Sequence, residues 1–185
     1  ADDHLVCFQY KDDALKYLTL LRERMGKFHL QLAEEKTQCI AFGRFAREDA
    51  YKQGAKPKEF TFLGFTHYCG RNRNGKFAVK RRTSKKKLQH SLMKFKLWTK
   101  KIRHRLTKGE MIRKAIIRLK GHLNYYAVSD NYRLCQLYNY KLKHILLKWL
   151  NRKSQRHAYT WPRYLEALKT CGWPKVKILI SMYPS

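Results

Sequence analysis

Apolar and polar positions follow a mixed pattern over the first eighty residues and a helical one afterwards. Residues 5–10 (LVCFQY) are a short apolar run rich in strand formers and predict a buried strand. Apolar residues then recur at Ala14, Leu15, Leu18, Leu21 and Met25, the spacing of one helix face. Asp12 and Asp13 at its start and Arg22, Arg24 and Lys27 at its end complement the helix dipole, with Gly26 suited to the stop. Phe28, Leu30 and Leu32 alternate with polar residues, as in a half-buried strand. Residues 43–58 are polar, hold two glycines and Pro57, and predict a loop. Residues 60–69 (FTFLGFTHYC) are rich in strand formers, Asn74-Gly75 signals a hairpin turn, and Phe77 and Val79 make the returning strand.

From residue 84 onward three apolar stripes repeat at helical spacing. The first is Leu88, Leu92, Phe95, Trp98, Ile102 and Leu106, with Ser84 or Thr83 available as its cap. The second, after a break at Lys108-Gly109, is Ile112, Ala115, Ile116, Leu119, Leu123 and Tyr126. Leu134, Tyr138, Leu142, Ile145 and Trp149 form the third. Three such stripes joined by short breaks describe a helical bundle, with Trp98, Leu119 and Trp149 expected in its core. Trp161-Pro162 opens a short fourth helix ending near Gly172, and the apolar tail at Val176, Ile178, Leu179 and Ile180 is expected to dock. The fold class expected is α+β: strand-helix-strand and hairpin over residues 1–80, then an all-α three-helix bundle within 81–185.

Charge sharpens this division. The chain of 185 residues is 44% hydrophobic and 14% aromatic, enough for a core, yet its net charge is +29. Residues 1–70 hold 11 Lys/Arg against 10 acids, whereas residues 71–120 hold 20 against the single acid Glu110. So lopsided a segment repels itself unless a polyanion completes it, releasing condensed counterions. Lys80, Arg81, Arg82, Lys85, Lys86 and Lys87 place six cations in eight residues, suited to tracking a phosphate backbone. Lys94, Lys96, Lys100, Lys101, Arg103 and Arg105 extend the positive face. The five cysteines are scattered without a CxxC pair, which suggests neither a zinc site nor a disulfide framework but buried thiols in a reducing cytoplasm. No apolar run approaches a membrane span, so no membrane partner is expected, and the chain, which opens on Ala1, reads as a piece of something longer.

Asp2-Asp3 precedes the first apolar run. Adjacent carboxylates there suit either a solvated turn or Mg²⁺ ligation for two-metal phosphoryl transfer. Ala1-Asp2-Asp3, then Leu30-Gln31-Leu32, Lys36-Thr37 and Phe62-Leu63-Gly64-Phe65 resemble, in order, the palm motifs of group II intron reverse transcriptases. Lys120-Gly121-His122-Leu123-Asn124-Tyr125-Tyr126 and residues 147–153 (LKWLNRK) resemble that family's thumb, or maturase domain X, with His122 where the family has tryptophan.

The resemblance, which spans nearly the whole chain, implies a palm remnant over 1–80 and a thumb over 81–185. Asp2 and Asp3 would be the catalytic, Mg²⁺-binding pair, Asp2 the direct ligand. Lys36 would meet nucleotide phosphates, or is a surface lysine. Leu63 and Gly64 would belong to the primer-grip hairpin, where Gly64 lets backbone approach the primer or serves packing. Tyr125 would contact RNA, and Tyr126 would be core. The implied partners are group II intron RNA and an RNA/DNA primer-template. The longer parent would use dNTPs for RNA-templated DNA synthesis, and this chain alone is not expected to polymerise. A free-standing RNA-binding splicing factor and a basic structural RNA-binding protein remain open alternatives.

Overall fold

A computed structural model describes residues 4–72, 74–153 and 158–183, so Asp2 and Asp3 lie outside the described residues. The protein is α+β. Its elements are α1 (Lys11–Lys27), α2 (Ala46–Lys52), β1 (Phe60–Phe62), β2 (Phe65–Arg71), β3 (Phe77–Thr83), α3 (Lys85–Ile102), α4 (Lys108–Tyr126), α5 (Tyr132–Asn151) and α6 (Trp161–Thr170). The strands form one sheet in the order β1-β2-β3, each joined to the next by a hairpin. The chain divides into two compact units, one of Ala1–Phe62 with His67–Val79, the other of Leu63–Thr66 with Lys80–Ser185.

In the first unit the helix expected after residue 10 is α1, but the flanking strands are absent. Residues 5–10 and 28–32 take no strand pairing, and Leu5, Val6, Phe8, Phe28 and Leu30 are exposed. Strand-forming side chains do not make a strand without a neighbour to complete the ladder. The end of α1 also differs. Gly26 lies inside the helix, and His29 takes the left-handed residue (φ 57°) of a Schellman closure, with His29 N donating to Gly26 O and Leu30 N to Met25 O, each at 3.0 Å. The polar stretch 43–58 contains a helix, α2, whose acids Glu48 and Asp49 stand in the first turn and whose Lys52 stands in the last, as the dipole favours. Neither α1 nor α2 buries a residue. A small aromatic group holds the sheet side: Phe60 stacks on His67 at 4.9 Å and meets Phe42 edge-on at 4.9 Å.

The second unit holds the core. Helices α3, α4 and α5 form where the three stripes predict them, and α5 packs against both others. Met111, Ala115, Leu119, Cys135, Leu142 and Leu146 are fully enclosed, with Phe95 closing the α3 side. Trp149 is buried, while Trp98 is half-buried against the core, so the two expected tryptophans differ. Ser84 caps α3, accepting from Lys87 N at 3.3 Å. Lys108 and Gly109 begin α4 rather than separate it from α3, because Thr107 and Glu110 form a reciprocal capping box one residue earlier. Asn131 locks three elements together: its Oδ1 accepts from Thr83 N, and its Nδ2 donates to Thr83 Oγ1 and Tyr126 O, all at 2.8 Å. Helix α6 starts with Pro162 in its first turn. The tail docks by packing Val176 against the core and then through its backbone, with Leu179 N donating to Ala127 O at 2.8 Å and Val128 bridging Ile180 in parallel, which leaves the Ile178, Leu179 and Ile180 side chains exposed.

Candidate nucleic-acid interface

Two surfaces of the second unit carry the candidate chemistry. The first is the turn between β1 and β2. Leu63 (φ 47°) and Gly64 (φ 80°) both have positive φ, as a two-residue type I′ turn requires. Leucine resists that region, yet Leu63 occupies it with 56% of its surface exposed. The surroundings impose the shape. Tyr125 Oη donates to Leu63 O at 2.8 Å, and Ser84 N donates to Gly64 O at 2.9 Å. The Tyr125 and Tyr126 rings flank Phe65 with centroids 5.7 and 5.1 Å away. A Cβ at Gly64 would stand 2.7 Å from Tyr126 Oη, so glycine is required there for close packing as well as for its backbone.

Tyr125 and Tyr126 therefore have a structural task. Tyr126, expected in the core, is half-buried against it, and burial together with neighbouring Tyr125 raises the pKa of its phenol. Behind them His122 stacks on Tyr138 at 3.6 Å and lies 4.6 Å from Tyr126. Burial pushes the His122 pKa down to about 4, so the ring is neutral near pH 7 and packs as an aromatic. The imidazole occupies, as a flat stacking group, the position where the resemblance has tryptophan.

The second surface is cationic. Lys85, Lys86 and Lys87 occupy the first turn of α3 and are exposed; no acid accompanies them. Cations at a helix N-terminus oppose the dipole, an arrangement that a bound anion relieves. Lys100 and Lys101 end the helix, exposed, with Arg105 following them. Met93 and Leu97 lie exposed between these two groups of lysines. Glu110, the single acid of residues 71–120, is held by the Thr107 side chain and backbone, which keep its carboxyl below the usual range, so it belongs to the cap rather than to a cation.

Not every expected cation faces outward. The Lys80 ammonium is 3.9 Å from Asp130 and half-buried. Arg81 is also half-buried, and its Nε and Nη1 are closed off from solvent with no hydrogen-bond acceptor among the described residues. Arg82 is exposed. Arg103 lies 5.0 Å over the Trp149 ring, with Arg152 5.2 Å from the same ring, and its Nε donates to His104 Nε2 at 2.8 Å. Arg118 stacks 4.3 Å over Trp98 and joins α4 to α3. These arginines cover the tryptophans, a role that charge counting along the chain does not reveal. Lys36 belongs to the first unit, exposed in a turn at residues 34–36. Among the described residues no three His, Cys, Asp or Glu side chains come together as a metal site.

Comparison with known proteins finds no match: no family model, no curated protein and no solved structure resembles this chain closely enough to count. The geometry defines a basic α+β protein whose helical unit presents a strongly cationic face. Among the described residues no helix is long and apolar enough to cross a membrane.

Proposed function

We propose that this chain grips RNA as the thumb and adjoining palm portion of a group II intron reverse transcriptase/maturase, acting in the cytoplasm on intron RNA. The observation that carries the reading is the cationic face of α3, whose lysines face solvent in a stretch of sequence whose only acid is occupied by a helix cap. Phosphate contacts from such a face would bind folded RNA by shape and backbone, the mode suited to a splicing cofactor. The FLGF turn supports the palm portion: it is a tight, strained hairpin with an exposed leucine at its tip, its carbonyls held by Tyr125 and Ser84. The open apolar side chains of the first unit, among them Leu5, Phe8, Leu20 and Phe45, suit a piece that packs against further palm structure.

DNA synthesis belongs to the parent in this reading. Asp2 and Asp3 would bind Mg²⁺ there, dNTP and primer-template would enter there, and Lys36 would approach the nucleotide. No reaction step is assigned to the described residues. The test is competition for the protein between a group II intron RNA and a random-sequence RNA of equal length. Preference for the intron supports the maturase reading. Equal competition at every salt concentration would favour a basic structural RNA-binding protein instead.

A further inference from the structure

Helix α5 carries a row of flat side chains that neither the core nor the cationic face of α3 uses. Tyr132, Gln136, Tyr140 and His144 recur every four residues and all are exposed. The spacing places them along about 18 Å of helix, turning gradually around its surface. They touch: Gln136 Nε2 donates to Tyr132 Oη at 2.8 Å, and the Tyr140 and His144 rings are 4.3 Å apart. His144 then stacks on Trp161, at the start of α6, at 4.8 Å with the planes only 21° apart. Tyr140 and Trp161 keep 53% and 37% of their surface open.

The rings are held from below. Trp161 packs 5.7 Å from Tyr164, which is fully buried and donates its hydroxyl to Lys143 O at 3.0 Å. Their order is thus set before any ligand arrives, which lowers the entropy lost on binding. Cations predominate around them: α5 contains Arg133, Lys141, Lys143 and Lys148 and no acid, and α6 adds Arg163 and Lys169 against one acid, Glu166. Beside Tyr132 a groove of about 480 Å³ carries Lys143, Lys169 and Lys175, again with no acid in its lining.

We propose that the outer face of α5 and the start of α6 form a stacking surface for single-stranded RNA, a second nucleic-acid subsite on the helical unit. Flat, exposed, pre-ordered rings between cations match unpaired bases joined by phosphates, whereas a duplex keeps its base faces inside the helix. The cations of α5, with no acid among them, favour a polyanionic partner, and the exposed rings between them favour one with unpaired bases. The inference rests on the RNA-binding reading above and deepens it.

Fluorescence anisotropy with an unstructured oligouridine and with a blunt RNA duplex tests it, using the full chain and its Tyr140→Ala/Trp161→Ala variant. The variant is expected to lose about 10- to 100-fold in affinity for the single strand, with duplex affinity and salt slope unchanged. Tyr140→Phe/Trp161→Phe, which keeps the rings, should retain most single-strand binding. Ultraviolet crosslinking of wild-type protein to 4-thiouridine RNA gives a readout independent of variant folding, with crosslinks expected at Tyr140 or Trp161. Unchanged single-strand affinity in the alanine variant, or crosslinks confined to other helices, would overturn the inference while leaving RNA binding by α3 intact. A wild-type protein that binds neither RNA would overturn both readings.

Discussion

Leu63 pays for its left-handed backbone with strain of about 1–2 kcal/mol, which only the surrounding contacts hold in place. Leu63→Gly should therefore stabilise the protein by about 0.5–1 kcal/mol, since glycine adopts φ 47° freely. Gly64→Ala should destabilise it by about 1–3 kcal/mol, because the new Cβ meets both an unfavourable φ and Tyr126 Oη. Tyr125→Phe should cost about 1 kcal/mol through the lost bond to Leu63 O, without altering the salt dependence of RNA binding. Urea denaturation of the three variants checks the stability changes, and filter binding of Tyr125→Phe across a salt series checks the unaltered salt dependence. His122 adds a pH effect. Its folded pKa, about 4, lies below its ordinary value of 6.5, so between those values the unfolded chain binds more protons than the folded one. Its contribution is complete above about pH 6.5 and is lost as pH falls toward about 4. His122→Phe should remove this dependence, making the variant relatively more stable than wild type at pH 4 than at pH 7 by on the order of 2 kcal/mol. Parallel urea titrations at the two pH values measure it; equal wild-type-to-variant differences would contradict the assignment.

Trp149 and Trp98 share the helical spacing of core residues, but their surroundings separate them. Trp149 is 5% exposed, and Trp149→Ala should cost about 3–5 kcal/mol. Trp98 is half-buried with Arg118 over its outer face, so Trp98→Ala should cost less, about 1–3 kcal/mol. Equal losses in thermal or urea unfolding would mean that both rings are equally enclosed. The contrast shows what periodicity conveys. Stripes at helical spacing locate α3, α4 and α5 because each helix makes its own backbone bonds and needs only an apolar face to dock. Residues 5–10 and 28–32 have strand composition, but a strand depends on a partner that local sequence does not specify. The helix α2 was hidden within a polar stretch, since a helix of seven residues buries nothing and leaves no stripe. Ser84 was legible as a cap. Asn131 was not, because its side chain caps no N–H of α5 and reaches instead to Thr83, 48 residues away.

At the scale of the whole molecule, charge was the most legible feature and its disposition the least. Counting along the chain finds the basic stretch beginning near Arg71, but only the structure separates lysines facing solvent from Lys80 beside Asp130 and Arg103 over Trp149. The resemblance offers Tyr125 as an RNA contact, whereas its hydroxyl is directed to the Leu63 carbonyl. The flat row on α5 was present in the sequence, yet its exposed polar positions look like ordinary solvated surface until His144 is seen against Trp161. The central claim is that the α3 face binds RNA through its phosphates. The most direct test is filter binding of structured RNA across a salt series, with wild type and the Lys85→Gln/Lys86→Gln/Lys87→Gln variant. Each lost phosphate contact removes roughly 0.7–0.9 from the slope of log affinity against log salt, so the variant's slope should be shallower by about 2–3. A slope equal to that of wild type would contradict the claim and place the RNA on another face.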